Sequence, residues 1–302
     1  MDIPLNKEIE AVGTWNTFPQ PITTRGEATI FHTIDPNAPP GNRGAGGGVS
    51  GPILAAMMQE SATLATITAL RHTEQIMGTL EININYIRRA SGKQIFAKAN
   101  VLKKGKTVSF VEVDIYNDEE RLVCNGHVII GIKLSGGYVK PNKFEHENFE
   151  NILNMFWKSN EHYGYELKLM EKKRGYLKFE LNIGQESANV DLDNLAQILP
   201  GAHDFACVNC VSTMVDFENG EYMNGTISLN LSYLKPYLKY VDLKSDNKKI
   251  EIISKVEKKL KPEEQIAFAS CEIISNNEVL ATGRIVYSVA KEKEEYNGAF
   301  SL

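Results

Sequence analysis

GTLEININYIRRA (residues 78–90) and GTISLNLSYLKP (residues 225–236) are two versions of one segment. At an offset of 147, Gly78, Thr79, Asn83 and Tyr86 recur as Gly225, Thr226, Asn230 and Tyr233. Ile82, Ile84 and Ile87 recur as Leu229, Leu231 and Leu234, and Arg88 as Lys235. This spacing is too long for a solenoid unit and suits two ordinary domains in a 302-residue chain. Within the first copy Leu80, Ile82, Ile84 and Tyr86 alternate with polar residues, the period of a half-buried strand.

Outward from each copy the same order recurs. In the first half a strand over 22–34 leads into a Gly/Pro-rich loop, 36–52, and then a helix from about 53 to 72. Ser50 is placed to cap that helix and Pro52 to occupy its first turn. The helix is apolar almost all round, so it is buried on most sides. After the repeat come KQIFAKANVLKK, KTVSFVEVDIYN and RLVCNGHVIIGIKL, strands on short antiparallel connections. Residues 135–163 read as a polar linker with an amphipathic helical stretch near 147–158. The second half repeats strand, loop (186–203), helix (204–217) and a meander, with an insertion near 237–249. The expected fold is α+β: a long buried helix against a curled antiparallel sheet, used twice, with the two sheets joined edge to edge to hide one edge of each. The expected units are 1–134 and 164–302.

Composition excludes several classes. The net charge of −5 leaves no basic excess for nucleic acid. No apolar run reaches transmembrane length, and the N-terminus lacks a signal-peptide pattern, so a cytoplasmic location is expected. Cys207 and Cys210 form a CxxC. It reads either as a redox or metal site or as two small apolar residues on one face of a buried helix; no second CxxC or His pair completes a tetrahedral set, and no metal is expected.

SGPILAAMMQESATLATI, GTLEININYIRRA and KANVLKKGKTVSFVEVDIYNDEERLVCNGHVIIGI together resemble the hotdog-fold acyl-CoA thioesterases in a tandem, double-hotdog form of the phenylacetate-thioesterase type. The resemblance spans about residues 22–133 and 165–290. It implies an acyl thioester hydrolase, with the acyl chain between helix and sheet and coenzyme A or an acyl-carrier-protein phosphopantetheine as part of the substrate rather than a cofactor. It also implies assembly as a homodimer. Members usually carry a catalytic Asp or Glu seven or eight residues beyond glycines at the helix start. Counting from Gly51, and from Gly201 as its counterpart at an offset of 150, the acid position falls on Gln59 and Asn209, with Glu60 one residue on.

A helix N-terminus offers unpaired N–H groups to a thioester carbonyl, so Gly51 is the candidate oxyanion donor, with Ser50, Gly48 and the loop amide of Asn42 beside it. Glu60, Gln59, His203, Asp204 and Asn209 are the candidate catalytic residues. In a tandem hotdog each central helix lies near the other unit's loop, so the site is expected to pair Gly51 with residues of the second helix. Asp204 also reads as a first-turn acid complementing the helix dipole. Arg88, Lys104 and Lys106, with Arg89 and Lys103, are candidates for the phosphates of coenzyme A. Other readings are a dehydratase using His203 and Glu60, an acyltransferase or decarboxylase with a Tyr or Ser nucleophile, and a non-catalytic acyl-CoA-binding protein.

Overall fold

The computed structural model describes residues 22–34, 48–71, 73–134, 165–183, 199–217, 220–235, 249–259 and 265–291. Asn42, the 147–158 stretch and most of the 237–249 insertion lie outside them.

The first half runs β1 (Ile22–Thr24), β2 (Glu27–Thr33), α1 (Gly51–Ala69), β3 (Glu74–Tyr86), β4 (Gln94–Lys104), β5 (Val108–Asn117) and β6 (Leu122–Leu134). The second runs β7 (Tyr165–Lys173), β8 (Tyr176–Ile183), α2 (Leu199–Ser212), β9 (Glu221–Tyr233), β10 (Ile250–Lys259), β11 (Ile266–Ser275) and β12 (Glu278–Lys291). The strands form one sheet in the order β1-β2-β4-β5-β6-β3-β9-β12-β11-β10-β8-β7. Each strand of the first half has its counterpart six strands later, in mirrored order, so the halves are related by a pseudo-twofold. The repeated segment forms the join. β3 pairs antiparallel with β9 and Asn83 faces Asn230, its own counterpart in the repeat. Asn230 Nδ2 donates to Glu81 Oε1 across the seam at 3.1 Å.

One helix lies against each half of the sheet, and α1 and α2 also pack on each other. α1 is buried almost throughout from Ile53 to Thr66, so Glu60, 6% exposed, is on no solvated stripe. Val111, Val113 and Ile115 point inward while Phe110 and Glu112 point out, as period two requires. α2 starts at Leu199, earlier than the expected 204, because Pro200 and Gly201 are helical rather than loop: proline has no N–H to lose in a first turn. Ser50 has the extended backbone of a cap, but its hydroxyl makes no capping bond.

Three contacts set the register between the halves, and it differs from the expected 150. Gly26 N–H donates to Thr68 Oγ1 at 2.8 Å, and Gly175 N–H to Thr213 Oγ1 at 2.7 Å. Met58 lies over Gly126 on β6, and His203 over Gly283 on β12. Gln59 Nε2 donates to Thr79 Oγ1 at 2.6 Å, and Thr226 Oγ1 donates to Asp204 Oδ1 at 2.9 Å. All three place the helices at an offset of 145. The counterpart of Gln59 is therefore Asp204, not Asn209.

Candidate functional site

The N-terminus of α1 and the second turn of α2 meet beside the join. A β-carbon built on Gly51 would lie 3.2 Å from Asp204 Oδ2 and 3.5 Å from the Tyr86 hydroxyl. Tyr86 ends β3, and its hydroxyl donates to the Gly51 carbonyl at 3.3 Å. Thr226 stands on β9 just past Ser228, where the β3–β9 ladder ends, and holds the other Asp204 oxygen. The repeated segment thus supplies Tyr86 from one copy and Thr226 from the other. Pro52 has no N–H, and the N–H groups of Ile53 and Leu54 turn back to Ser50 O. The helix start has no side-chain cap, and Asp204 lies beside Gly51 at the positive end of the helix dipole.

Burial pushes the Asp204 carboxyl up to about 6 from 3.8, with the Thr226 bond pulling the other way. The Tyr86 phenol is raised well above its ordinary value, first by burial and then by Asp204. The Tyr287 phenol is pushed up to about 12 by burial and by the same carboxylate. Both stay protonated near neutral pH. Asp204 is then a carboxylate with one oxygen held by Thr226 and the other beside Gly51 at the helix start, charging near neutrality. Such a group can orient and deprotonate a water. Thr226→Val is expected to cut turnover about tenfold at pH 7, since a hydrogen bond to a charged group contributes about 1.5–3 kcal/mol. It should also move the acidic limb of the pH–rate profile upward, which a titration of initial rates measures.

Among the other expected residues, His203 points away from this cluster. It packs on Gly283 in the core of the second half, and burial lowers it to about 4, the nearby Gly283 backbone offsetting a little. Asn209 Nδ2 donates to the Phe205 carbonyl one turn back on the outer face of α2, far round the helix from Asp204. Gln59 belongs to the mirror-related position, where it bonds Thr79. Glu60 is buried one residue on, about 100° round the helix, and the groups nearest Gly51 are Asp204 and Tyr86 instead. Gly48 is needed for packing: a β-carbon there would sit 2.6 Å from the Ala90 carbonyl, to which Val49 N–H bonds at 2.8 Å. Ser50 is half-buried beside Gly51.

Of the basic residues, Arg88 and Arg89 are exposed and follow Tyr86 closely in the chain. Lys106 is exposed as well, whereas Lys104 is half-buried. Lys104 Nζ is paired with Glu74 at 2.6 Å, at the other end of α1. Burial would raise the Glu74 carboxyl, but Lys104 and the Arg71 N–H hold it below its ordinary value. A 19-residue helix puts that pair about 28 Å from Gly51. The sequence missed Tyr86 and Thr226 as members of the cluster, although their recurrence in the repeat was the available signal.

Residues 46–124 match the family model of the thioesterase superfamily. No curated protein matches by sequence. Among solved structures, the chain is similar to a proposed thioesterase II of Thermobifida fusca at 14% identity and a TM-score of 0.56, covering 87% of this chain and 92% of that one. It is similar to the TesB protein of Mycobacterium avium subspecies paratuberculosis at 11% identity and 0.55, covering 89% and 96%. A protein of unknown function with a hot dog fold from Alicyclobacillus acidocaldarius aligns at 12% and 0.52, covering 93% and 97%. At these identities the structures speak for the fold, and the family match covers the segment carrying Gly51 and Tyr86. No helix among the described residues is long and apolar enough to cross a membrane. Residues 46–124 are thus similar to the thioesterase superfamily, and the chain as a whole shares the hotdog fold of these solved structures.

Proposed function

We propose that the chain is a tandem double hotdog, units 1–134 and 164–302 joined by 135–163, that hydrolyses acyl thioesters of coenzyme A or acyl carrier protein at one composite site. The observation that carries this is the approach of Asp204, from the second half, to the N-terminus of α1 in the first. The thioester carbonyl accepts from the Gly51 N–H as negative charge builds on its oxygen. Asp204, steadied by Thr226, takes the proton of the attacking water, and the thiolate leaves and is protonated. An aimed donor of this kind is worth about 3–4 kcal/mol in a transition state. The acyl chain runs between helix and sheet, and Arg88 and Arg89 meet the carrier's phosphates. The protein works in the cytoplasm as a homodimer, with no cofactor beyond the carrier portion of its substrate.

The other readings lose their support. A His203–Glu60 dehydratase needs His203 beside the carbonyl, and it lies in the core. Tyr86, held protonated, is a poor acyl-accepting nucleophile. A non-catalytic binder followed from the lack of a carboxylate, which Asp204 supplies. The test is free-thiol release from short, medium and long acyl-CoAs and from acyl carrier protein thioesters, with mass spectrometry of the product. Thiol plus free acid is the expected result; retained thiol with a mass change of one water would overturn it. Gly51→Ala should lower kcat by about 10–100-fold, because the added methyl displaces the reacting groups by fractions of an ångström. Stability should hold within about 1 kcal/mol, since Ala suits a helix better than Gly. Urea unfolding beside the rate assay separates the two effects.

A further inference from the structure

His203 and Cys207 stand one turn apart on the same face of α2, and Cys271 faces them from β11. Their donor atoms lie within 4.8 Å of one another and all three side chains are buried. Neither ring nitrogen of His203 makes a hydrogen bond of acceptable geometry, although the Gly283 backbone is close. The Cys207 thiol contacts Cys271. Cys210 is engaged elsewhere, its sulfur donating to the Ser254 carbonyl at 3.4 Å.

The first half supplies an internal control. At the helical offset of 145, the counterparts of His203 and Cys207 are Met58 and Ala62. Cys271 opposes Gly283 as Val113 opposes Gly126, so Val113 is the counterpart of Cys271. Met58, Ala62 and Val113 are all fully buried. The same space between helix and sheet is thus filled by three apolar side chains in one half and by an imidazole and two thiols in the other. Packing does not call for that exchange, and burying an imidazole whose nitrogens make no hydrogen bond opposes folding.

We propose that His203, Cys207 and Cys271 form a buried site for one thiophilic d10 cation, zinc(II) or copper(I). One nitrogen and two sulfurs form a soft donor set that excludes magnesium and calcium. Bonds of about 2.0–2.3 Å to a shared ion put the donors about 3.5–4 Å apart, so a contraction of at most about 1.3 Å closes the site. His203 is neutral and offers a lone pair without losing a proton. Each thiol gives up its proton as its sulfur bonds the ion, so one ion binds and two protons leave, with no change of oxidation state. With zinc(II) the product carries no net charge, which suits a dry interior. With copper(I) three donors complete the coordination. Either ion clamps α2 to β11 one residue from Asp204.

The test uses the full reduced chain after chelation, titrated separately with zinc(II) and copper(I). It is compared with the H203M/C207A/C271V variant, which installs the first half's own packing set and is checked for folding by circular dichroism. Native mass spectrometry should find one ion per wild-type chain and none on the variant. A pH indicator should register two protons released per ion, and cobalt(II) should give a thiolate-to-metal charge-transfer band in the wild type alone. Which ion binds at the lower free concentration identifies it. Equal uptake by both proteins, or uptake by neither, overturns the proposal. So does a Cys207–Cys271 disulfide in the protein as isolated, seen as a loss of two hydrogens, with no uptake after reduction.

Discussion

Asp204→Asn is expected to remove most of the hydrolysis and at the same time to make the chain more stable. Loss of a general base costs about 10²–10⁴-fold in rate. Asn keeps the shape, and its amide oxygen still accepts from Thr226, so a large rate loss without unfolding isolates the charge. The stability gain follows from burial. The native carboxyl titrates at about 6, and its ordinary value is 3.8. Between those values the native state holds more protons than the unfolded one, so this group's contribution to stability falls as pH rises from about 4 to about 6. Above 6 both states are ionised and the penalty is complete, about 3 kcal/mol. The Asn variant escapes it. Its urea midpoint should exceed that of the wild type at pH 8, with the gap shrinking toward pH 4. Wild-type turnover should rise with pH through about 6 and then level. A variant less stable than the wild type at pH 8 would make Asp204 a structural partner instead.

Gly126→Ala should be the most damaging single methyl in the fold. A β-carbon there would lie 1.9 Å from the Asn83 carbonyl oxygen and 2.8 Å from Met58 Sδ. Met58 can swing away, but the Asn83 carbonyl belongs to the β3 backbone at the centre of the join. Separating β3 from β6 also disturbs the β3–β9 ladder. The expected cost is about 3 kcal/mol or more, above the usual range for one added core methyl because the clash is with backbone. The counterpart Gly283→Ala meets Asn230 O at 2.6 Å and the His203 ring at 2.6 Å. It should destabilise less, by about 1–3 kcal/mol. It should also lower activity, since pushing His203 shifts the helix that carries Asp204. Urea midpoints of both variants, with thiol release for the second, check the order. A tolerated Gly126→Ala would mean that helix and sheet are not so closely packed.

The strands and the join were legible because alternation and the repeat are local signals, and the recurring segment does pair with itself. The helices were legible as buried helices. Their mutual register was not, because it is set by tertiary contacts: Thr68 with Gly26, Thr213 with Gly175, and Met58 and His203 over their glycines. Matching Gly201 to Gly51 moved the register by five residues, more than one turn. That put the acid position of the second helix on Asn209 and left Asp204 as a dipole-complementing residue. The pairing of Lys104 with Glu74 was hidden for the same reason: Glu74 lies thirty residues away in the chain, on a strand that does not pair with that of Lys104, and the two side chains meet only in the folded protein.

The central claim is that one site, built on Asp204 and Gly51, carries the reaction while the mirror-related position at Gln59 does not. Thiol release from the preferred acyl-CoA, followed in parallel for the wild type, Asp204→Asn and Gln59→Leu, tests it directly. The Asn variant is expected to lose at least about 10²-fold, and the Leu variant, once shown to be folded, to keep wild-type turnover within a small factor. Full activity in the Asn variant, or loss confined to the Leu variant, would contradict it.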